Sequence, residues 1–111
     1  MRNHKIYFED IRGSIRKIEK YTRRTSFRDF KSNDLLIDAV IRNLEIIGEA
    51  TKNLPIEIKK TYPDVEWKKI AGLRDILIHE YFGIDLDILW DIVKTKIPDL
   101  RKKLSKRMGK D

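Results

Sequence analysis

Arg74, His79 and Tyr81 are the residues of this sequence whose types and spacing could carry out chemistry on a phosphate. They lie close together in a segment, residues 73–81, that is otherwise mostly apolar. An arginine keeps its positive charge at every ordinary pH, and a histidine titrates near neutrality. Metal-independent cleavage of a phosphodiester needs both properties, because one group must stabilise charge on the phosphate while another moves a proton.

Arg74 is unusual because a helix through this segment would place it among apolar side chains. On a helical wheel one half of the circumference is apolar, and it carries Trp67, Ile70, Ala71, Leu73, Leu77, Ile78, Tyr81 and Phe82. Burying an unpaired guanidinium is costly, so Arg74 must meet an acid, an anion, a water-filled cleft or a subunit interface. Two interpretations stay open: an ion pair with Glu45 or Glu49 on the preceding long helix, or binding of an anionic substrate.

His79 does not converge with Arg74 on a single straight helix, because the two positions are about 140° apart around the axis. It lies instead on the face of Asp75, four residues earlier, whose carboxylate could orient the imidazole or raise its pKa. The two groups could meet if the helix unwinds before Gly83, or if two copies of the helix face each other across a dimer axis. His79 could also be an exposed surface histidine, and we expect His4 to lie in a mobile N-terminus.

Tyr81 shares the stripe of Arg74, about 20° away around the same helix. It is either a core aromatic with its hydroxyl at the rim or a group that acts beside the arginine.

Helical spacing of apolar residues runs through the whole sequence, and no strand pattern accompanies it. It predicts helices over about 5–24, 34–52 and 64–81 and from about 85 onward, with a short helical segment at 56–62. The second of these is apolar around most of its circumference, which indicates a central position. Asp64 is a candidate cap for the third, and Pro98 should kink the last. The expected fold is all-α, an antiparallel bundle of four main helices plus a short helical turn.

The composition excludes several classes of protein. The 111 residues are expected to form one domain, 1–111, with a basic tail from about 105, and no cysteine is present for disulfides or thiol chemistry. Two histidines 75 residues apart and no acidic cluster at ligand spacing argue against a metal site, and no cofactor is expected. No apolar run is long enough for a membrane span, so we expect a cytoplasmic protein.

The net charge of +7 comes from clustered basic residues. The clusters are Arg16, Lys17, Lys20, Arg23, Arg24, Arg28 and Lys31, and in the tail Arg101, Lys102, Lys103, Lys106, Arg107 and Lys110. Such stretches either dock phosphates or form an ordinary solvated surface.

The arrangement Arg74-x4-His79-x-Tyr81 resembles the motif of the HepT-like toxins in the HEPN superfamily. The stretches Arg42-Asn-Leu-Glu-Ile-Ile-Gly-Glu-Ala50, Tyr62-Pro63 with Trp67, and Gly72-Leu73-Arg74-Asp75 match in order and spacing, and the likeness covers about 38–87. Members of that family are small, dimeric, all-helical ribonucleases paired with a minimal nucleotidyltransferase antitoxin.

The resemblance implies a role for each motif residue. Arg74 and His79 would be the catalytic residues of a metal-independent endoribonuclease acting on tRNA or mRNA, with Asp75 in support. Tyr81 would be adenylylated by the partner, which would silence the toxin as in a type VII toxin–antitoxin pair.

Other interpretations stay open beside this one. Arg42, Glu45 and Glu49 share one helix face, so they form either a row of ion pairs or part of the site. The alternative function is a non-catalytic, nucleotide-binding or docking partner subunit of a minimal nucleotidyltransferase. A purely basic nucleic-acid-binding bundle would leave Arg74 unexplained.

Overall fold

Helices make up most of the chain that the structure describes. The structure is a computed structural model; it describes residues 4–79 and 84–108, and the side chains of 4–77 and 84–105. The helices are α1 (His4–Thr22), α2 (Phe27–Lys31), α3 (Asp34–Asn53), α4 (Ile56–Lys59), α5 (Trp67–His79), α6 (Leu86–Asp91) and α7 (Ile97–Met108), with a π-helical turn, Ile92–Lys96, between the last two. These residues contain no strand, so the all-α prediction is confirmed.

Helix α3 is the centre of the bundle. It packs along α1 on one side and along α5 on the other, and α7 closes the bundle against α1. The core is built from apolar residues one or two turns apart on these helices, among them Ile11, Ile15, Ile18, Val40, Leu44, Ile47, Leu77, Val93, Ile97, Leu100 and Leu104. The apolar circumference of α3 therefore reflects its two neighbours, as its sequence indicates.

Side-chain caps fix where α3 and α6 begin. Asn33 Oδ1 accepts a hydrogen bond from the backbone N–H of Leu36 at 3.0 Å and starts α3. Asp85 Oδ1 accepts one from the N–H of Asp87 at 2.8 Å and starts α6, close to the predicted position. Each cap satisfies a donor that the first helical turn leaves unpaired.

Asp64 is not the cap of the third helix, because α5 begins three residues after it, at Trp67. The preceding residues form turns instead, with the N–H of Val65 bonded to the carbonyl of Tyr62. The indole Nε1 of Trp67 donates to the carbonyl of Lys59 at 3.1 Å. This bond ties the first turn of α5 to the end of α4.

Helix α2 was not predicted, because five residues are too few to show a helical period. Ser26 caps it by accepting from the N–H of Asp29 at 3.1 Å. Phe30 is fully buried, with its ring centroid 4.9 Å from that of Trp90. The helix thus closes the bundle over the start of the last helical run.

The predicted disturbance at Pro98 is present as the π-helical turn Ile92–Lys96 just before it. Pro98 is the second residue of α7, where a missing backbone N–H is tolerated. Lys94, in the π-helical turn, donates to the carbonyl of Thr22 at 3.0 Å and so satisfies the C-terminal end of α1.

His4, which was expected in a mobile N-terminus, begins α1, and its ring packs edge-on against Phe8. The predictions for Tyr81, Gly83 and the last residues of the basic tail fall outside the described residues. Within the described part of the chain, the helices lack the combination of length and apolar character that a membrane span requires.

Candidate active site

Arg74 lies where α5 passes close to α3. At the crossing point α3 carries Gly48, and a Cβ atom there would overlap the Cβ of Arg74 and lie 3.1 Å from its Cγ. The absence of a side chain at Gly48 therefore allows the two helix backbones to approach, with the stem of Arg74 filling the space. Gly48 therefore determines where the side chain of Arg74 crosses α3 on its way to the surface.

The guanidinium of Arg74 is held by an acid from the neighbouring helix. Its Nε lies 2.8 Å from Oε2 of Glu49, and its Nη1 lies 3.4 Å from Oδ1 of Asp75. The arginine side chain keeps 30% of its surface exposed. Of the partners considered from sequence, Glu49 is the one that the structure selects, and it explains how an arginine can occupy an apolar arc.

Asp75 points toward α3 and is shared by two cations. Lys52 Nζ lies 2.7 Å from the same Oδ1 atom that contacts Arg74. The hydrogen bond from Lys52 is the main cause that lowers the pKa of Asp75; partial burial opposes the shift, and the charges of Lys52 and Arg74 add to it. The carboxylate is therefore a fixed negative charge at neutral pH, engaged with α3.

A cleft of about 480 Å³ opens in front of these residues, between α1 and α3. Its lining residues are Tyr7, Asp10, Arg42, Glu45, Ile46, Glu49, Ala50, Asn53 and Arg74. Arg42 and Glu45 form the expected i, i+3 pair, but at 4.0 Å it is at the limit of an ion pair. Glu49 does not continue this row, because it crosses to Arg74. The three residues of the helix face thus border the cleft that contains the arginine.

The backbone of α5 remains helical up to His79, and the side chain of His79 lies outside the described residues. Unwinding between Arg74 and His79 is therefore not part of this structure. On a continuous helix, position 79 stays about 140° from position 74. Tyr81 also lies outside the described residues, so Arg74 and Asp75 are the two predicted site residues whose contacts can be stated.

Several residues that position Arg74 and Asp75 or line the cleft were missed from the sequence. Gly48 carried a usable signal, since an isolated glycine inside a helix usually has a packing reason. Lys52 carried no such signal, because it contacts Asp75, a residue 23 positions later on another helix. Asp10 enters the lining because α1 lies beside α3. Asn53 follows Glu49 by one turn on the same face of α3, so its spacing was a usable signal.

A guanidinium fixed at an open cleft can bind an anionic oxygen and stabilise charge that develops on it. Among residues 4–79 and 84–108, no group of three or more His, Cys, Asp or Glu side chains is arranged to hold a metal ion.

Comparison with known proteins places the chain in a family. The family model described as "Ribonuclease HepT-like" matches residues 11–107. The chain is 49% identical over 105 residues to a protein of Thermococcus cleftensis named "Probable ribonuclease HepT", covering 95% of this chain and 96% of that one. It is 40% identical over 111 residues to a protein of Caldanaerobacter subterraneus subsp. tengcongensis named as a "Putative RNase", covering 100% and 99%.

A third relative is larger than this chain. It is a Methanocaldococcus jannaschii protein named "Gamma-glutamylcyclotransferase and putative RNase", 49% identical over 104 residues, covering 94% of this chain and 47% of that one. The chain thus spans about half the length of that relative. No solved structure matches the chain. The match over residues 11–107 and these identities show that the chain belongs to the HepT-like ribonuclease family.

Proposed function

We propose that this protein is a metal-independent endoribonuclease in which Arg74 binds the scissile phosphate. The observation that carries the proposal is the ion pair between Nε of Arg74 and Glu49 at 2.8 Å, at the edge of an open cleft. A guanidinium held through Nε leaves N–H groups of its terminal nitrogens available for a second anion. The contact from Nη1 to Asp75 is 3.4 Å, longer than the roughly 2.7–2.9 Å of a strong charge-assisted bond, so a phosphate oxygen can compete for it.

In this proposal His79 moves the protons. The 2′-oxygen of the RNA attacks the phosphorus and gives its proton to a base, and the bond to the 5′-oxygen breaks as an acid protonates that oxygen. The products carry a 2′,3′-cyclic phosphate and a free 5′-hydroxyl. Because positions 74 and 79 diverge on one helix, a homodimer that joins two copies of α5 would supply both residues to one site.

The second part of the proposal is a toxin–antitoxin pair of the type VII kind. A minimal nucleotidyltransferase would transfer AMP from ATP to the phenolic oxygen of Tyr81, with release of pyrophosphate. On a helix that continues past His79, position 81 lies about 20° from Arg74, so the added anion would compete for its guanidinium. A Tyr81→Phe protein that the partner still silences in the same manner would contradict this part. The setting proposed is the cytoplasm, with tRNA or mRNA as substrate.

A second candidate function is a non-catalytic docking subunit of such a nucleotidyltransferase. It is favoured by one observation, that the positive charge of Arg74 already meets two carboxylates within the chain. In that case Arg74 and Glu49 would stabilise the bundle or the partner's nucleotide site, and the protein alone would not cleave RNA.

Cleavage of a tRNA pool in EDTA separates the two functions. The wild-type protein is compared with His79→Ala purified in the same way, after intact mass has confirmed that Tyr81 is unmodified. Loss of cleavage in the variant supports a ribonuclease. Equal cleavage by both proteins would indicate a contaminating nuclease, and no cleavage by either would favour the docking subunit.

A further inference from the structure

A second groove, formed by α1 and α7, is lined mainly by arginines. It has a volume of about 190 Å³, and its lining residues are Arg12, Ile15, Arg16, Glu19, Arg101, Leu104 and Ser105. Three of these side chains are cationic and one is anionic, in contrast to the cleft at Arg74. The groove belongs to the part of the bundle where α7 packs against α1.

The arginines of this groove come from both of its helices. Arg12 and Arg16 are both exposed and lie one turn apart on α1, about 6 Å along the axis. Arg101 faces them from α7, and its Nε lies 2.9 and 3.2 Å from the two carboxylate oxygens of Glu19. Glu19 thereby holds Arg101 at the groove while 47% of the arginine side chain stays exposed.

The groove is separate from the candidate active site. Asp10, which lines the cleft at Arg74, lies about 160° around α1 from Arg12. The two sites therefore occupy opposite sides of α1. A ligand in the groove would not touch the reacting phosphate in the same protomer.

The chemistry of the groove fits a polyanion better than a protein surface. Its apolar members, Ile15 and Leu104, are buried in the core and offer little surface to a partner. Protein interfaces depend on apolar or aromatic anchors at their centre, and this groove has none to offer among its lining residues. Exposed arginines spaced along a helix are the type of surface that contacts successive phosphates of a nucleic-acid strand.

We propose that the α1/α7 groove, through Arg12, Arg16 and Arg101, binds the phosphate backbone of single-stranded RNA outside the cleavage cleft. This inference rests on the proposed function in taking RNA as the substrate. It adds a positioning surface that the motif of Arg74 and His79 does not contain. Because such contacts are to phosphates, the groove holds RNA without reading its sequence.

The test is RNA binding by an Arg12→Gln/Arg16→Gln double variant. Both positions are exposed, and the pair between Glu19 and Arg101 is left in place. The matched control is Lys17→Gln/Lys60→Gln, which removes the same charge; Lys17 lies on α1 about 140° from Arg12. All proteins carry His79→Ala, and binding of a fluorescein-labelled oligouridylate is followed by anisotropy in EDTA at several salt concentrations.

We expect weaker binding by the double variant at low salt. The slope of log affinity against log salt should become shallower by about 1.4, since each phosphate contact on a single strand contributes about 0.7. The control should keep the parental slope. An unchanged slope, or an equal change in the control, would overturn the proposal.

This measurement requires no cleavage, so failure of the groove proposal and failure of the proposed function can be told apart. Failure of the wild-type protein to cleave RNA would remove the proposed activity and leave the groove's RNA binding to be decided by the slope. An active enzyme with an unchanged slope would remove the groove alone.

Discussion

The cleft at Arg74 and the α1/α7 groove are both lined by arginines, but they differ in the balance of acidic and basic residues. The cleft contains three acids, Asp10, Glu45 and Glu49, and two arginines. The groove contains three arginines and a single acid. In the cleft, Arg74 is paired with a carboxylate of the neighbouring helix, whereas in the groove Arg12 and Arg16 are exposed to solvent.

This difference indicates that the cleft positions a reacting phosphate, whereas the groove attracts and retains an RNA strand. Arg74 is held from two sides, by Glu49 on α3 and by the close approach of the helices at Gly48, so its guanidinium has one place in the cleft. Ion pairs this exposed contribute little to stability, so the pair with Glu49 matters mainly for geometry. A fixed donor suits a reacting phosphate, whereas solvated arginines suit a strand that only needs to be retained.

Replacing Arg74 by lysine should have the largest effect. An ammonium group is a point charge that cannot pair with Glu49 and present a planar fork to a phosphate at the same time. We expect the single-turnover cleavage rate in EDTA to fall by about 10²- to 10³-fold, the usual result of losing one transition-state donor. A rate close to that of the wild type would show that Arg74 acts only as a positive charge, like the arginines of the groove.

A methyl group at Gly48 should disturb the cleft by separating its walls. The new Cβ would overlap the Cβ of Arg74, close to the backbone, where the side chain cannot move aside. We expect Gly48→Ala to lower the free energy of unfolding by about 1–3 kcal/mol in urea denaturation. Gly13→Ala on α1 is the control, because nothing lies within 4 Å of its added Cβ and higher helix propensity should stabilise it by up to about 1 kcal/mol. Equal effects of the two would mean that the helix contact is loose.

Neutralising Glu49 should lower the cleavage rate even though it removes a negative charge from the cleft. In Glu49→Gln the guanidinium of Arg74 loses its strongest partner and its fixed orientation. We expect cleavage to fall about tenfold, within the range of errors in positioning, while the melting temperature changes little. Faster cleavage would reverse the argument, since it would mean that Glu49 competes with the phosphate rather than orienting its donor.

The smallest predicted effect is a pH dependence from Asp75. Its pKa is lowered mainly by Lys52, so the stabilisation is present above the usual aspartate pKa of about 3.9 and is lost as the pH falls through the folded-state value. Lys52→Met should therefore be less stable than the wild type at neutral pH, and the difference should shrink in acid. The midpoints of urea unfolding at neutral pH and at a pH below the usual aspartate pKa test this prediction. Lys60→Met is the control, because Lys60 has no ion pair among the described residues. A difference independent of pH would show that Lys52 acts through packing.

The sequence predicted what repeats along a helix and missed what depends on helices meeting. The apolar circumference of α3 indicated its central place, and an arginine in an apolar arc required a partner such as Glu49. The contact of Lys52 with Asp75 and the contribution of Asp10 to the cleft depend on how helices cross, which no single-helix pattern contains.

The other errors concern a short helix and a residue that resembles a helix cap. Helix α2 is too short for a period, and Asp64 looked like a cap although α5 begins three residues later, at Trp67. Arg12 drew no attention in the sequence, because its place beside Arg101 depends on the packing of α7 on α1.

The central claim is that Arg74 acts on the reacting phosphate whereas Arg12 and Arg16 retain the strand. Single-turnover cleavage in EDTA, measured across RNA concentrations for Arg74→Lys and for Arg12→Gln/Arg16→Gln, tests it most directly. We expect Arg74→Lys to lower the rate at saturating RNA and the double variant to raise the RNA concentration needed for the half-maximal rate. The same pattern in both variants, or the reverse assignment, would contradict it.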